Sequence, residues 1–335
     1  MFDAWSLFLY LQNNAITNKF TTFELTHEKT SMEPFEIHIL GCGSALPTTR
    51  HNASSQVVKI GNKQFMIDCG EGTQLQLRRG HIHFSFINHI FISHLHGDHC
   101  FGLIGLISTF GLLGRTAPLH IYADAMLEKI MKPQVDFYCK DLKYPLFFHS
   151  IDAAAHSVIY EDNTITVETL PLKHRMPCCG FLFKEKPKRR HLLGDVANYY
   201  GIPAYQRQSI KEGADFTTQS GEVIPNSRLT READPSRSYA YCSDTLPCPA
   251  NNSYMKGVDL FYHEATFADS EKERAKLTFH STARQAAEMA KEAEAKRLII
   301  GHYSSRYDDE QTLLQEAREI FQETFCADEG KVFHV

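Results

Sequence analysis

From residue 35 onward the chain alternates short β-branched and aromatic runs with longer amphipathic stretches, the rhythm of a layered α/β protein. Residues 37–40 form a first strand pattern and run into the glycine-rich turn Gly41-Cys42-Gly43-Ser44. Strand patterns at 56–60 and 64–68 follow, joined by the hairpin signal Gly61-Asn62. A helix is expected over Thr73–Arg79, then a buried strand at 90–92 and a buried helix across 100–114. Further strands are expected at 119–122, 164–170, 180–183, 239–242, 260–263, 297–300 and 332–335. Helical patterns occupy 125–137, 281–294 and 309–324; in the second of these, alanines at 283, 286, 287 and 290 make one face. Strands interleaved with helices predict two sheets packed face to face with helices outside, a four-layer αββα sandwich of the α/β class.

Two stretches break this rhythm. Residues 1–31 are weakly patterned and end in a polar run, so they read as an N-terminal extension or a misassigned start, with one domain over 32–335. Between 184 and 237 the apolar periodicity fades, and insertions of that length in compact domains are functional or disordered.

Composition narrows the class. At 335 residues with 43% hydrophobic side chains, 22% charged and a net charge of −5, the chain is neither disordered, collagen-like nor uniformly basic. The charge is unevenly spread: residues 184–237 hold ten basic against seven acidic side chains, so this segment is +3 and the rest −8. The nine cysteines show no disulfide framework, which fits the reducing cytoplasm. The apolar run at 4–11 follows Asp3 and lacks a cleavage site, so it is not read as a signal peptide. The uncharged run 100–114 has 15 residues and four glycines, short of the roughly 18–20 that span a bilayer, so no membrane association is expected.

Histidine is the odd entry, 18 against a single Trp. The informative cluster is Ser93-His94-Leu95-His96-Gly97-Asp98-His99, directly after a buried strand. His94 and His96 alternate along an extended backbone and project to one side, while Gly97 permits a turn that brings Asp98 and His99 to a second position. That geometry suits two adjacent metal ions. Imidazole and carboxylate without thiolate favour Zn²⁺, with Mn²⁺ or Fe as substitutes.

HxHxDH after a hydrophobic strand resembles the metal signature of the metallo-β-lactamase superfamily. The runs GCGSALP (41–47), IDCGEGTQ (67–74), HEATF (263–267), HSTA (280–283) and GHYSSRY (301–307) resemble, in order, the set that marks the ribonuclease Z family of tRNA 3′-processing endonucleases. The resemblance spans about residue 35 to the C-terminus. It implies the metallo-β-lactamase fold with two zinc ions per subunit. His94, His96 and His174 would hold one, Asp98, His99 and His302 the other, with Asp244 bridging. His174, Asp244 and His302 each follow an expected strand, where a layered fold gathers ligands. The implied reaction is attack of hydroxide on the phosphorus beyond the mature tRNA 3′ end, leaving a tRNA 3′-hydroxyl and a trailer 5′-phosphate. Asp98 would also accept the proton, and His280, oriented by Glu264, would protonate the departing oxygen. Asp68 and His263 would support the ligands through hydrogen bonds.

The insertion at 184–237 resembles the arm with which bacterial members grip precursor tRNA, and the family's homodimer is the expected assembly. Lys186, Lys188, Arg189, Arg190 and Lys211 would contact phosphates. Many members of the family carry a PxKxRN loop associated with rejection of tRNA bearing CCA; this chain has Thr49 and His51 at the Lys and Asn-preceding positions, which leaves both that discrimination and the cleavage position relative to CCA open. Rival readings are a phosphodiesterase of the same fold acting on small or cyclic phosphodiesters, and a non-catalytic RNA-binding protein.

Overall fold

Two seven-stranded sheets organise this computed structural model, which describes residues 33–46 and 48–335. The expected extension at 1–31 lies outside the described residues. Across the first sheet run β1 (Phe35–Gly41), β2 (Ser55–Ile60), β3 (Lys63–Ile67), β4 (Ile87–Phe91), β5 (Leu119–Ala123) and β6 (Leu146–Ser150). The second sheet begins with β7 (Val158–Glu161), β8 (Ile165–Pro171) and β9 (Cys179–Glu185). Four two-residue strands of the insertion follow: β10 (His191–Leu192), β11 (Phe216–Thr217), β12 (Val223–Ile224) and β13 (Thr230–Arg231). The chain then completes the second sheet with β14 (Ser238–Cys242), β15 (Leu260–Glu264), β16 (Leu298–Gly301) and β17 (Thr324–Cys326). Finally β18 (Val332–His334) returns to the first sheet and pairs antiparallel with β1.

Each sheet is antiparallel on one side and parallel on the other. β1 to β3 pair antiparallel and β3 to β6 parallel; β7, β8, β9 and β14 pair antiparallel and β14 to β17 parallel. Parallel neighbours need crossovers, supplied by the helices Thr73–Arg79, Leu103–Leu112 and Met126–Tyr138 for the first sheet. Ala283–Glu292 and Gln311–Ile320 serve the second.

Side-chain alternation along the strands produces the layers. Val58, Phe65 and Phe91 face the second sheet, where Phe65 meets Phe183 and Phe91 meets Phe181 at 5.8 and 5.5 Å between ring centroids. Their neighbours Val57, Met66 and Ile90 face outward onto Leu77, Leu106 and Phe110 of the helical layer. Behind the second sheet, Ala286 and Ala290 let the helix Ala283–Glu292 approach closely. Its start is fixed by Thr282, whose side chain accepts from Gln285 N–H while Gln285 accepts from Thr282 N–H.

Several expectations change. β6, β7 and β17 were not anticipated: they are short edge or near-edge strands with little room for a period to show. The helix expected over 309–324 stops at Ile320, because Thr324 turns to pair with β16. The helix expected over 100–114 is broken at Phe101-Gly102, where Gly102 N–H donates to Cys69 O at 2.9 Å. A Cβ on Gly102 would fall 2.1 Å from Gly70 O, so no other residue fits that crossing. Its far end is not buried either, since Leu112 and Leu113 are exposed.

The insertion is a folded unit. Ala197, Ile202, Ile210, Phe216, Ile224 and Leu229 form a small core of their own between the β10–β13 and β11–β12 ladders. Elements of two to six residues leave no period to read, which is why the pattern fades there. At the root Arg237 forks onto buried Glu185, with Nε and Nη2 donating at 3.0 and 2.7 Å. Among the described residues no helix is long and apolar enough to cross a membrane.

Three histidines without motif support stack across β4, β5 and β6. His89–His120 and His120–His149 ring centroids are each 5.1 Å apart. Burial, and then the neighbouring imidazoles, push His89 down from 6.5 to about 4. Below pH 6.5 the unfolded chain takes up the proton first, so the native state loses stability as pH falls from 6.5 to about 4. Thermal melts across that window should show a falling Tm, and His89→Phe should flatten the slope; an unchanged slope would show that the stack does not control acid stability.

Candidate metal centre

The parallel halves of both sheets deliver their carboxyl ends to one edge of the sandwich, the position where open parallel sheets place ligands. Ser93 to His99 follow β4, His174 follows β8, Asp244 follows β14, Glu264 ends β15 and His302 follows β16. Residues separated by more than two hundred positions meet there because each strand end is fixed by its ladder.

Asp244 divides the histidines into two groups. Its Oδ2 lies 3.6 Å from His94 Nε2 and 3.8 Å from His174 Nε2. His96 Nδ1 completes that group, 3.0 Å from His94 Nε2 and 3.2 Å from His174 Nε2. The other oxygen, Oδ1, lies 3.3 Å from His99 Nε2 and 3.1 Å from His302 Nε2. Asp98 Oδ2 is 3.5 Å from each of the same two nitrogens and accepts from Ala45 N–H at 2.8 Å. Burial alone would raise the Asp244 carboxyl, but His302, His99 and His94 hold it well below the usual range, so it is an anion.

The supporting hydrogen bonds set the imidazole tautomers. His99 Nδ1–H donates to Asp68 Oδ2 at 2.8 Å, which leaves Nε2 with a free lone pair. Thr266 O–H donates to Glu264 Oε2 at 2.8 Å, so Thr266 Oγ1 accepts from His302 Nδ1–H at 2.9 Å and His302 Nε2 is likewise free. His174 Nδ1–H donates to Phe279 O at 3.0 Å. Both Nε2 atoms, of His99 and His302, are buried without a hydrogen-bond partner. An orphaned buried polar atom costs about 1–3 kcal/mol, and ligation of a cation removes that cost. The donor set therefore fits metal ions. Positive φ at Asp68 (56°) and His302 (61°) adds backbone strain at the same place.

Asp68 is fully buried, and its two oxygens face hydrogen-bond donors. Its Oδ1 accepts from Ser93 N–H at 2.7 Å, and its Oδ2 from Ser93 O–H at 2.9 Å and Tyr241 O–H at 2.8 Å besides His99. Glu264, expected to orient His280, accepts from His280 Nδ1–H at 2.9 Å and from the backbone N–H groups of Thr245, Thr266 and Ser281. Burial opposes charging of His280, but the Glu264 carboxylate outweighs it and lifts the imidazole to about 9. His263 Nδ1–H donates to Glu264 O at 2.7 Å, bracing the turn that carries Glu264.

These groups open into a cleft of about 530 Å³ lined by His96, Asp98, His174, Asp244, His280 and His302, with Phe101, Arg175 and Thr278 at its sides. The five basic residues expected to bind phosphate lie elsewhere, on the insertion and its root. Lys186 pairs with Glu161, Lys188 with Glu185, Arg189 with Glu212 and Arg190 with Glu232. Lys186 and Lys188 sit at the root, whereas Arg189, Arg190 and Lys211 line a shallow depression together with Arg207.

Ser93, Tyr241, Thr245 and Thr266 escaped the sequence reading. All four sit beside motif residues, but their types are common and only the fold shows what they touch. His51 escaped as well. It lies between Glu329 and Glu310, with Nδ1 and Nε2 each 2.9 Å from a carboxylate oxygen and Cys42 Sγ 3.3 Å from Nδ1. Burial lowers its affinity for a proton, but Glu329 and Glu310 raise it further, and the ring ties the segment ahead of β2 to the C-terminal region.

Asp68→Asn turns one carboxylate oxygen into a donor facing donors. Chelator titration of the metal-loaded variant should show metal affinity reduced by about 10- to 100-fold. Wild-type retention would mean that Asp68 does not set the ligand geometry.

Comparison with known proteins follows the same line. Residues 35–193 match a family model described as Anti-Pycsar protein Apyc1. A ribonuclease Z of Bacteroides thetaiotaomicron is 59% identical over 299 residues, covering 89% of this chain and 95% of that relative. A ribonuclease Z of Porphyromonas gingivalis is 52% identical over 89% of this chain and 98% of its own length. Among solved structures, the short form of human tRNase Z superposes with a TM-score of 0.65 at 25% identity, covering 89% of this chain and 98% of that one. The metallo-β-lactamase fold protein YhfI of Bacillus subtilis gives 0.64 at 17% identity over 90% of this chain and all of that one, a likeness of fold. With the αββα sandwich, the shared Asp244 and relatives of more than half identity over most of its length, this chain belongs to the ribonuclease Z family of the metallo-β-lactamase fold.

Proposed function

We propose that the protein is a zinc-dependent endoribonuclease that removes the 3′ trailer from precursor tRNA, leaving a 3′-hydroxyl on the tRNA and a 5′-phosphate on the trailer. The observation that carries this reading is the Asp244 carboxylate, whose two oxygens face two separate imidazole groups at the floor of an open cleft. His94, His96, His174 and Asp244 would hold one zinc ion and Asp98, His99, His302 and Asp244 a second, where the metal would supply Lewis acidity for phosphodiester hydrolysis.

The chain's own groups handle the protons. Asp98, fixed by Ala45 N–H, accepts the proton released by the attacking water. The departing 3′-oxygen needs a donor. His280, charged beside Glu264 and stacked 5.4 Å from His302, presents its Nε2–H to the cleft. Glu264 keeps Nδ1 occupied, so only Nε2 is available for transfer.

The insertion would hold the body of the tRNA through Arg189, Arg190, Arg207 and Lys211; the surface ion pairs of Arg189 and Arg190 are weak enough to exchange for phosphates. A homodimer would let one subunit's arm present tRNA to its partner's cleft. A cytoplasmic setting fits the nine free cysteines.

His96→Ala should abolish cleavage of a precursor tRNA while leaving tRNA binding largely intact; undiminished turnover would sink the metal assignment. His280→Gln should lower kcat by about 10²–10⁴-fold at unchanged metal content, measured by single-turnover cleavage and elemental analysis. Removing residues 188–232 is structurally clean, because β10 and β13 pair next to the cut. Four charged contacts at about 0.5–1 kcal/mol each set a loss of roughly 10²-fold on precursor tRNA. Hydrolysis of bis(p-nitrophenyl) phosphate should be spared, and equal loss on both substrates would make the arm structural.

A further inference from the structure

We propose that Phe101 is the platform on which the nucleobase beside the cleaved phosphodiester stacks, an inference that rests on the endoribonuclease reading above. Phe101 is 70% exposed, and its ring lines the same cleft as His96, Asp98, His280 and His302. Apart from the small residues Ala45, Ala53 and Gly97, the rest of that lining carries imidazole, carboxylate, guanidinium and hydroxyl groups, suited to a phosphate and its leaving oxygen, so Phe101 is its one large apolar side chain. A flat apolar surface among such groups matches a ligand that joins a phosphodiester to an aromatic ring within one residue's reach, which is a nucleotide.

The ring is also rigidly mounted. A Cβ on Gly97 would fall 2.3 Å from Cε2 and 2.4 Å from Cζ of Phe101, so the ring rests directly on the backbone between His96 and Asp98. Phe101 N–H donates to Gly97 O at 2.9 Å, and the next residue, Gly102, donates to Cys69 O at 2.9 Å. The aromatic surface is therefore fixed relative to the loop that bears the metal ligands. Gly97 does two things: it turns the chain between His96 and Asp98, and it leaves room for the ring. Stacking on such a surface tolerates every base, because each has a π-face, and it holds a single-stranded 3′ region without reading sequence.

The test uses full-length metal-loaded protein, wild type and the variants Phe101→Ala and Phe101→Trp. The substrates are a precursor tRNA with normal nucleotides and two versions carrying an abasic nucleotide on the 5′ or 3′ side of the cleaved bond. Phe101→Ala should lower kcat/KM on the normal precursor by roughly 5- to 150-fold, mostly through KM, and Phe101→Trp should restore it. One abasic substrate should slow the wild type by a similar factor, with no further loss in Phe101→Ala. Wild-type enzyme that cuts normal and abasic precursors equally overturns the stacking role while leaving the endoribonuclease reading intact. Failure of wild type to cut normal precursor overturns the endoribonuclease reading. Multiplied losses on the abasic substrates, or a change of oligomeric state of Phe101→Ala in sedimentation velocity, also overturn the proposal, because the ring would then be serving packing or a subunit contact.

Discussion

One buried carboxylate ties the two sheets together at the edge where the site forms. Asp68, just past β3, receives Ser93 from the metal-binding loop, His99 from the same loop and Tyr241 from β14 of the opposite sheet. A charge with no exposed surface is tolerable only when fully satisfied, and four donors meet that demand. The consequence is geometric. The loop that carries four of the seven proposed metal-binding residues cannot shift against the strand that carries Asp244 without leaving that charge unpaired.

The sheet topology explains why the ligands converge. Each sheet has a parallel half, and parallel strands send their carboxyl ends to the same edge. Two such halves packed face to face place both rows of strand ends along one crevice. The helices that make the crossovers stay on the outer faces, and among the described residues a cleft of about 530 Å³ remains open along the crevice. Within it the groups are arranged as nested pairs: imidazoles are oriented by Asp68, Thr266 and the Phe279 carbonyl, and Thr266 is in turn oriented by Glu264. Glu264 thus serves two imidazoles at once, His280 directly and His302 through the threonine hydroxyl. The proposed metal-binding and proton-donating parts of the site share one buried carboxylate.

The insertion shows how a charge average misleads in both directions. Its excess of basic residues is real, yet Lys186, Lys188, Arg189 and Arg190 each meet a carboxylate. The exposed pairs among them, such as Arg189–Glu212, contribute little to stability and leave the side chains exchangeable. What distinguishes the segment is its own apolar core, which makes it a built arm and not a loose loop.

HxHxDH was legible because its residues are adjacent, and its chemistry follows from residue type and alternation alone. The sandwich was legible because buried strands and amphipathic helices have periods of their own. His174, Asp244 and His302 were placed by resemblance, for each is a single polar residue after a strand and nothing in its neighbourhood marks it. Edge strands β6, β7 and β17, the core of the insertion, the Asp68 hub and the ring of Phe101 on Gly97 belonged to the tertiary structure alone. A period needs several turns or alternations to show, and a contact between residues far apart leaves no local trace. The sequence by itself determined the layered class and the adjacent cluster of candidate metal ligands; the packing of two sheets decided which carboxylate faces both imidazole groups, which imidazole nitrogen is free and which aromatic ring faces the cleft.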